Sequence, residues 1–196
     1  EISLGLVGSE MCIRDRYYKG IFTTLSSCAS RQLEEVTFRR ATISVPELMA
    51  TAGKYFRKVY KGNKAHIDFK IQLLEGRITG DWNQLRFLLE NLIDEACSVT
   101  LDGAVCLSAR EDGEFIRFLF TDMRREKTRE ELNQLFYPDL SRMTAGEKGE
   151  LYGTEYLVCK QIIRDHDEFA GRRGCRINAE PGKEGGFTIY FTLPKK

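Results

Sequence analysis

An α+β domain, built as a two-layer sandwich of a mixed, mostly antiparallel sheet with helices packed on one face, is the fold class this 196-residue sequence predicts. Three observations predict it. "IDFKIQLL" and "FTIYFTLP" alternate apolar and polar residues with the period of two expected of half-buried strands. "QLRFLLENLIDEACSVT", from Gln84 to Thr100, repeats its apolar residues at helical spacing instead. The order strand, helix, strands, helix, hairpin, helix, hairpin fits one mixed sheet with helices on one side.

The elements follow in chain order. Residues 1–16, "EISLGLVGSEMCIRDR", lack the charged start and long apolar centre of a signal peptide. They resemble the conceptual translation of sequencing-adapter DNA, so an artefactual extension is expected there, with the natural N-terminus and an upstream domain missing. Residues 17–35 read as a helical lead-in or the remnant of an upstream region, with Ile21, Leu25 and Leu33 among serines that lower helix propensity. The domain proper is assigned to residues 36–196. Val36 to Ile43 alternates as a strand, and Ser44 caps a helix that has Pro46 and Glu47 in its first turn and runs to about Lys58. "YKGN" turns the chain into the strand bearing Ile67, Phe69, Ile71 and Leu73, and "EGRITGD" is expected to be a second turn. Beyond the long helix, "AVCLSA" and "EFIRFLF" flank an Asp112-Gly113 hairpin signal. Residues 122–150 are charged and read mainly as loop, apart from a short helix around Glu130 to Phe136. A helix from about Tyr156 to Arg164 precedes the last strand, where Phe187, Ile189, Phe191 and Leu193 face one way and Thr188, Tyr190 and Thr192 the other.

Composition narrows the function classes. Hydrophobic content of 42% and charged content of 30% are ordinary for a soluble globular domain. A net charge of +1 with mixed signs gives no footprint for nucleic acid or an acidic membrane. No apolar run reaches the ~20 residues of a membrane span, so no membrane contact is expected of this chain. The six cysteines form no C-x-x-C and no metal-like spacing with the two histidines, which points to buried free thiols in a reducing, cytoplasmic setting.

The long helix raises the functional question. Leu85, Leu88, Leu89, Leu92 and Ala96 make one apolar stripe, and Gln84, Asn91, Glu95 and Ser98 line its flank, while Glu90 and Asp94 are expected to point to water. Such a polar edge is either the wall of a ligand site or a solvated margin. Neither histidine looks like a phosphoacceptor: His66 starts a strand, and His166 falls just past the helix expected from about Tyr156 to Arg164.

Five motifs in order resemble the histidine-kinase-like ATPase superfamily, which includes sensor kinases, Hsp90, gyrase and MutL. "GDWNQLRFLLENLIDEA" is similar to the first helix of its ATP site, where sensor kinases read N-L-x-x-N-A after a Gly-Asp pair. Asn91, Leu92 and Ala96 match, and Glu95 replaces the second asparagine. "FLFTD" resembles the strand ending in the adenine-binding aspartate, here Asp122, and "LFYPDL" the segment before the ATP lid. "YGTEYLVCKQIIRDH" resembles the glycine-rich box and its helix, and "EGGFTIYFTLP" the closing strand. The resemblance covers about Val36 to Pro194 and implies a Bergerat-type ATPase fold, with ATP and Mg²⁺ as cofactors. It places Asn91, Glu95, Asp122, Gly153 and Thr154 on the nucleotide and Glu95 on the metal; Arg124 is a further nucleotide-binding candidate through its charge.

The departures from the pattern shape the functional expectation. A carboxylate at Glu95 suits Mg²⁺ bridged to phosphates, but brings negative charge to a polyphosphate when the metal is absent. Met123, Arg124, Arg125 and Glu126 stand where the family has glycines beside the adenine, and the lid box keeps Gly153 alone, with Leu151 and Glu155 at the other glycine positions. Arg124 and Arg125 either pair with phosphate or belong to the solvated charge run "RREKTREE". Asp122 either holds an adenine amine or is a strand-end aspartate satisfied by turn amides. Asn91, where relatives position the attacking group, is a poor general base and offers polar contact only. The expected function is a degenerate sensor-kinase-like ATPase domain in intracellular signalling, with impaired nucleotide binding and no catalytic residue of its own. It would act through protein partners, among them a missing N-terminal sensor or dimerisation region, and a homodimer is compatible with this. The alternatives are an active ATP- and Mg²⁺-binding kinase domain that phosphorylates a histidine on another domain, and an unrelated α+β binding module.

Overall fold

The computed structural model describes residues 37–60, 65–136, 154–183 and 185–196. The expectations for residues 1–16 and 17–35, for Val36, and for Leu151 and Gly153 lie outside them. Seven strands and four helices are found among the described residues: β1 (Ala41–Ser44), α1 (Val45–Tyr60), β2 (Ile67–Gln72), β3 (Arg77–Gly80), α2 (Trp82–Ser98), β4 (Gly103–Asp112), β5 (Phe115–Asp122), α3 (Arg129–Gln134), α4 (Thr154–Phe169), β6 (Ile177–Pro181) and β7 (Phe187–Pro194).

The main sheet has the order β2-β4-β5-β7-β6. Only β2 and β4 run parallel; the other pairs are antiparallel. Leu107 of β4, Phe118 and Phe120 of β5 and Ile189 and Phe191 of β7 share one buried cluster with Leu48 and Met49 of α1, Leu85, Leu88, Leu89 and Leu92 of α2, and Ile162 and Ile163 of α4. Phe118 and Phe191 stack with ring centroids 5.0 Å apart across the β5–β7 pair. The predicted α+β sandwich is therefore the observed one. No described helix is long and apolar enough to cross a membrane.

Several local expectations are corrected. "RITG" is strand β3 rather than part of a turn, because it pairs in register with β1 (Ala41↔Gly80 to Ser44↔Arg77) and fully buries Ile78. The first strand is shorter than expected for the same reason: its partner supplies only four residues. The helix expected over Tyr156 to Arg164 runs from Thr154 to Phe169. The last strand is buried on both faces, with Thr188 and Thr192 enclosed along with the apolar residues opposite them. Its polar face is satisfied internally, Thr188 pairing with Thr121 at 2.9 Å and the Thr192 hydroxyl accepting from the Arg176 amide and donating to the Gly174 carbonyl. Glu90 and Asp94 are half-buried instead of reaching fully to water: the Asp94 carboxylate accepts from the Tyr55 hydroxyl at 2.9 and 3.0 Å, tying α2 to α1, and Glu90 lies 3.7 Å from Arg86. His66 is exposed just before β2, and Cys106 and Cys175 are free, half-buried thiols.

Candidate functional site

Helix α2 lies with its apolar stripe on the sheet, so its polar flank points along the sheet surface towards the end of β5. Asp81 caps its N-terminus by accepting from the Asn83 and Gln84 amides. Near its C-terminus Glu95 meets the residues that follow β5. The stretch Asp122 to Arg125 makes a tight turn in which the Arg124 amide donates to Asp122 Oδ1 at 3.0 Å.

The side chains of this turn close on one another. Arg124 donates from Nε to Asp122 Oδ1 at 2.9 Å and from Nη2 to Oδ2 at 2.8 Å. Its remaining donors reach the carbonyls of Ala96 (2.7 Å) and Leu101 (3.1 Å). Arg125 donates from Nε to Asp122 Oδ2 at 2.9 Å, and its two terminal nitrogens form a fork on Glu95 at 2.6 and 3.0 Å. The Asp122 and Arg124 side chains are fully buried, and those of Arg125 and Glu95 are 14% and 15% exposed. Two acids and two bases thus form a charge-neutral group in which every carboxylate oxygen has a guanidinium partner. Arg124 and Arg125 are not part of a solvated charge run. Besides Asp122 next to them in the chain, the partners that hold them lie on α2 and in the α2–β4 connection, far from them in sequence.

Neighbouring residues seal the group. The buried Tyr156, at the start of α4, hydrogen-bonds to Glu95. Burial first, and the charge of Glu95 second, push its hydroxyl well above its ordinary value, so it stays a neutral donor. Phe187 at the start of β7 lies beneath the Arg125 guanidinium, 5.3 Å from ring centroid to Cζ, and Lys127 sits 5.5 Å from the same ring. Gly186 has φ +68°, and a Cβ there would come within 2.0 Å of the Asp122 carbonyl oxygen. Only glycine lets β7 approach the end of β5 this closely.

Charge balance sets the ionisation. Burial alone would raise the Asp122 carboxyl, but hydrogen bonds from Arg124 and the charge of Arg125 outweigh it and hold the group below its usual range. Burial would likewise lower Arg125, and the fork on Glu95 with the charge of Asp122 raises it instead.

The structure brings Glu95, Asp122 and Arg124 into one group, with Arg124 on Asp122 and Arg125 bridging Asp122 to Glu95. Asn91 lies one turn before Glu95; its Nδ2 and the Oε1 of Gln84 are buried without a hydrogen-bond partner among the described residues. Thr154 is described only by its place at the start of α4. Among the described residues no group of three or more His, Cys, Asp or Glu side chains is arranged to hold a metal. Arg125 as a bridge, Tyr156 as a donor and Gly186 as a close approach were not identified from sequence. The fork from Arg125 to Glu95 spans 30 positions, and no local spacing signals it.

A family model described as histidine kinase-, DNA gyrase B- and HSP90-like ATPase matches residues 80–196, more than half of the chain. The chain belongs to this family. That assignment sets aside the unrelated binding module. The ATPase-family domain is 26% identical over 176 residues to the adaptive-response sensory kinase SasA of Thermosynechococcus vestitus, a match that takes in 89% of the chain and 44% of that kinase. The chain thus spans less than half the length of this relative. Among solved structures, the domain superposes on the Acinetobacter baumannii histidine kinase AdeS with a TM-score of 0.69 at 12% identity, covering 97% of this chain and 85% of that one. It superposes on the histidine kinase ThkA in complex with the response regulator TrrA with a TM-score of 0.66 at 16% identity, covering 100% and 53%. For full-length ShkA in complex with AMPPNP the TM-score is 0.62 at 15% identity, covering 82% and 32%. These likenesses confirm the fold.

Proposed function

We propose that this chain is the ATPase-type module of a sensor-kinase-like signalling protein, that its nucleotide site is held shut by its own side chains, and that it works mainly through protein contacts. The observation that carries this reading is the neutral group of Asp122, Arg124, Arg125 and Glu95. An aspartate that reads adenine must offer a free acceptor, and both Asp122 oxygens are taken by guanidinium donors and one turn amide. A carboxylate that holds Mg²⁺ must present oxygen to the metal, and both Glu95 oxygens are taken by Arg125. As they stand, these residues do not fit Mg²⁺-ATP. Withdrawing Asp122 from the buried Arg124 would cost about 3–5 kcal/mol, or roughly two to four powers of ten in affinity.

A second reading has its own support. The family match and the likeness to a kinase solved with AMPPNP favour an active domain, in which Glu95 holds Mg²⁺, Asp122 reads adenine and a histidine elsewhere accepts the phosphoryl group. Likeness to a kinase solved with a response regulator makes a regulator of that type a candidate partner in either case. Calorimetric titration of the full chain with Mg²⁺-ATP separates the two, with Asp122→Asn as control. No heat up to millimolar ATP from folded protein supports closure. Micromolar binding that is lost in the control supports the active domain.

A further inference from the structure

We propose that residues 37–40 form a latch that docks the chain leading into the domain onto the junction of α2 and α4, with His166 as its pin. This goes beyond the nucleotide reading and rests on separate contacts. The Arg39 amide donates to Asp81 Oδ2 at 2.7 Å, while Oδ1 of the same carboxylate caps α2 through the Asn83 and Gln84 amides at 2.9 and 3.1 Å. The Asp81 amide in turn donates to Nε2 of His166 at 3.0 Å, and Nδ1 of that ring lies 2.8 Å from the Ile162 carbonyl. A ring that accepts at Nε2 and donates at Nδ1 is a neutral imidazole in one tautomer. Phe38 packs edge-on against this ring at 4.9 Å and lies 5.8 Å from the Phe169 ring, so the segment also touches the last turn of α4.

The pin has no slack. His166 is fully buried, and a Cβ at Gly80 would come within 2.9 Å of its ring, so β3 can pass only as glycine. The groups that face the ring are the Ile162 carbonyl from α4, the Phe38 ring from the inbound segment, Gly80 from β3 and the Asp81 carboxylate from the α2 cap; Asp81 is the one whose charge acts on it. Burial outweighs the Ile162 carbonyl and the Asp81 charge and holds the ring below its ordinary value of 6.5. Protonation at Nε2 removes the acceptor of the Asp81 amide and sets two N–H groups against each other. The latch then opens at the point where α2, which carries Glu95, meets α4, which carries Tyr156. Motion of the inbound segment is thereby coupled to both helices that line the closed group.

Hydrogen exchange of the full chain tests this, read at the Arg39 and Asp81 amides after correction for intrinsic rates. In the unaltered chain, protection of both falls roughly tenfold between about pH 7.5 and about pH 5, the loss of one buried hydrogen bond. Emission of Trp82, the single tryptophan and first residue of α2, changes in parallel. His166→Gln keeps an acceptor but does not titrate, so protection persists at both pH values; His166→Leu loses it at both. Equal protection in all three proteins overturns the latch, as does a pH step that disappears in His66→Gln instead. Should His166→Leu fail to fold, Phe38→Ala carries the test near pH 7.5. Faster Arg39 exchange with α2 core amides still protected supports the latch, and unchanged Arg39 exchange overturns it.

Discussion

The two ends of α2 each rest on a buried aspartate at the end of a strand, and they are satisfied in opposite ways. Asp81, following β3, takes three backbone amides and lies beside a neutral histidine. Asp122, the last residue of β5, takes one amide and two arginines, one of which also binds Glu95. Amide partners leave the first aspartate uncompensated in charge but fixed in direction, as suits a cap and a junction. Guanidinium partners neutralise the second, and a neutralised carboxylate has little left to offer an incoming ligand. One motif residue thus builds structure at the first end, and on the proposed reading the other closes a site at the second.

The largest contrast should come from removing each acid. Asp122→Ala leaves the fully buried Arg124 without its counter-ion and should lower stability by about 3–5 kcal/mol in urea unfolding. Asp81→Ala leaves only amides to be rehydrated and should cost about 2 kcal/mol in the same assay. Equal losses would erase the distinction between the two ends. Arg125→Gln probes the exposed side of the closed group. Because Asp122 keeps Arg124, the expected cost is about 1–2 kcal/mol, and calorimetry should find Mg²⁺-ATP binding more tightly than to the unaltered chain.

Acid gives the smallest effect and the cleanest separation. His166 has a lowered folded value, so its contribution is present above its unfolded value of 6.5 and is lost as the pH falls through the folded one. Asp122 is also lowered, so its contribution is present above its unfolded value of 3.8 and is lost only as the pH falls below that. Stability measured against pH should therefore decline in two windows, the upper absent in His166→Gln and the lower reduced in Asp122→Asn.

Legibility from sequence followed the range of the contacts. The β4–β5 hairpin was readable because its Asp112-Gly113 turn and its alternation are local, with Gly113 at φ +59°. The stripe Leu85, Leu88, Leu89, Leu92 and Ala96 was readable for the same reason, and all five are buried. "RITG" was missed because a four-residue strand beside a glycine carries no period, and only pairing with β1 defines it. The site was half legible. Glu95 and Asp122 could be singled out from their positions in the motifs. Their capture by Arg124 and Arg125 could not, because those arginines sit in a run of charges whose local pattern is that of a solvated loop; Asp122 is close by in the chain, but the further contacts that turn the arginines inward lie 28 and 30 positions back at Ala96 and Glu95.

Closure of the nucleotide site is tested most directly by following the arginine Nε–H signals of Arg124 and Arg125 by NMR while Mg²⁺-ATP is added to the full chain. Closure predicts two slowly exchanging signals that stay unchanged up to millimolar nucleotide. Loss or displacement of the Arg125 signal, saturating at micromolar nucleotide, would contradict it and show that the group opens to bind.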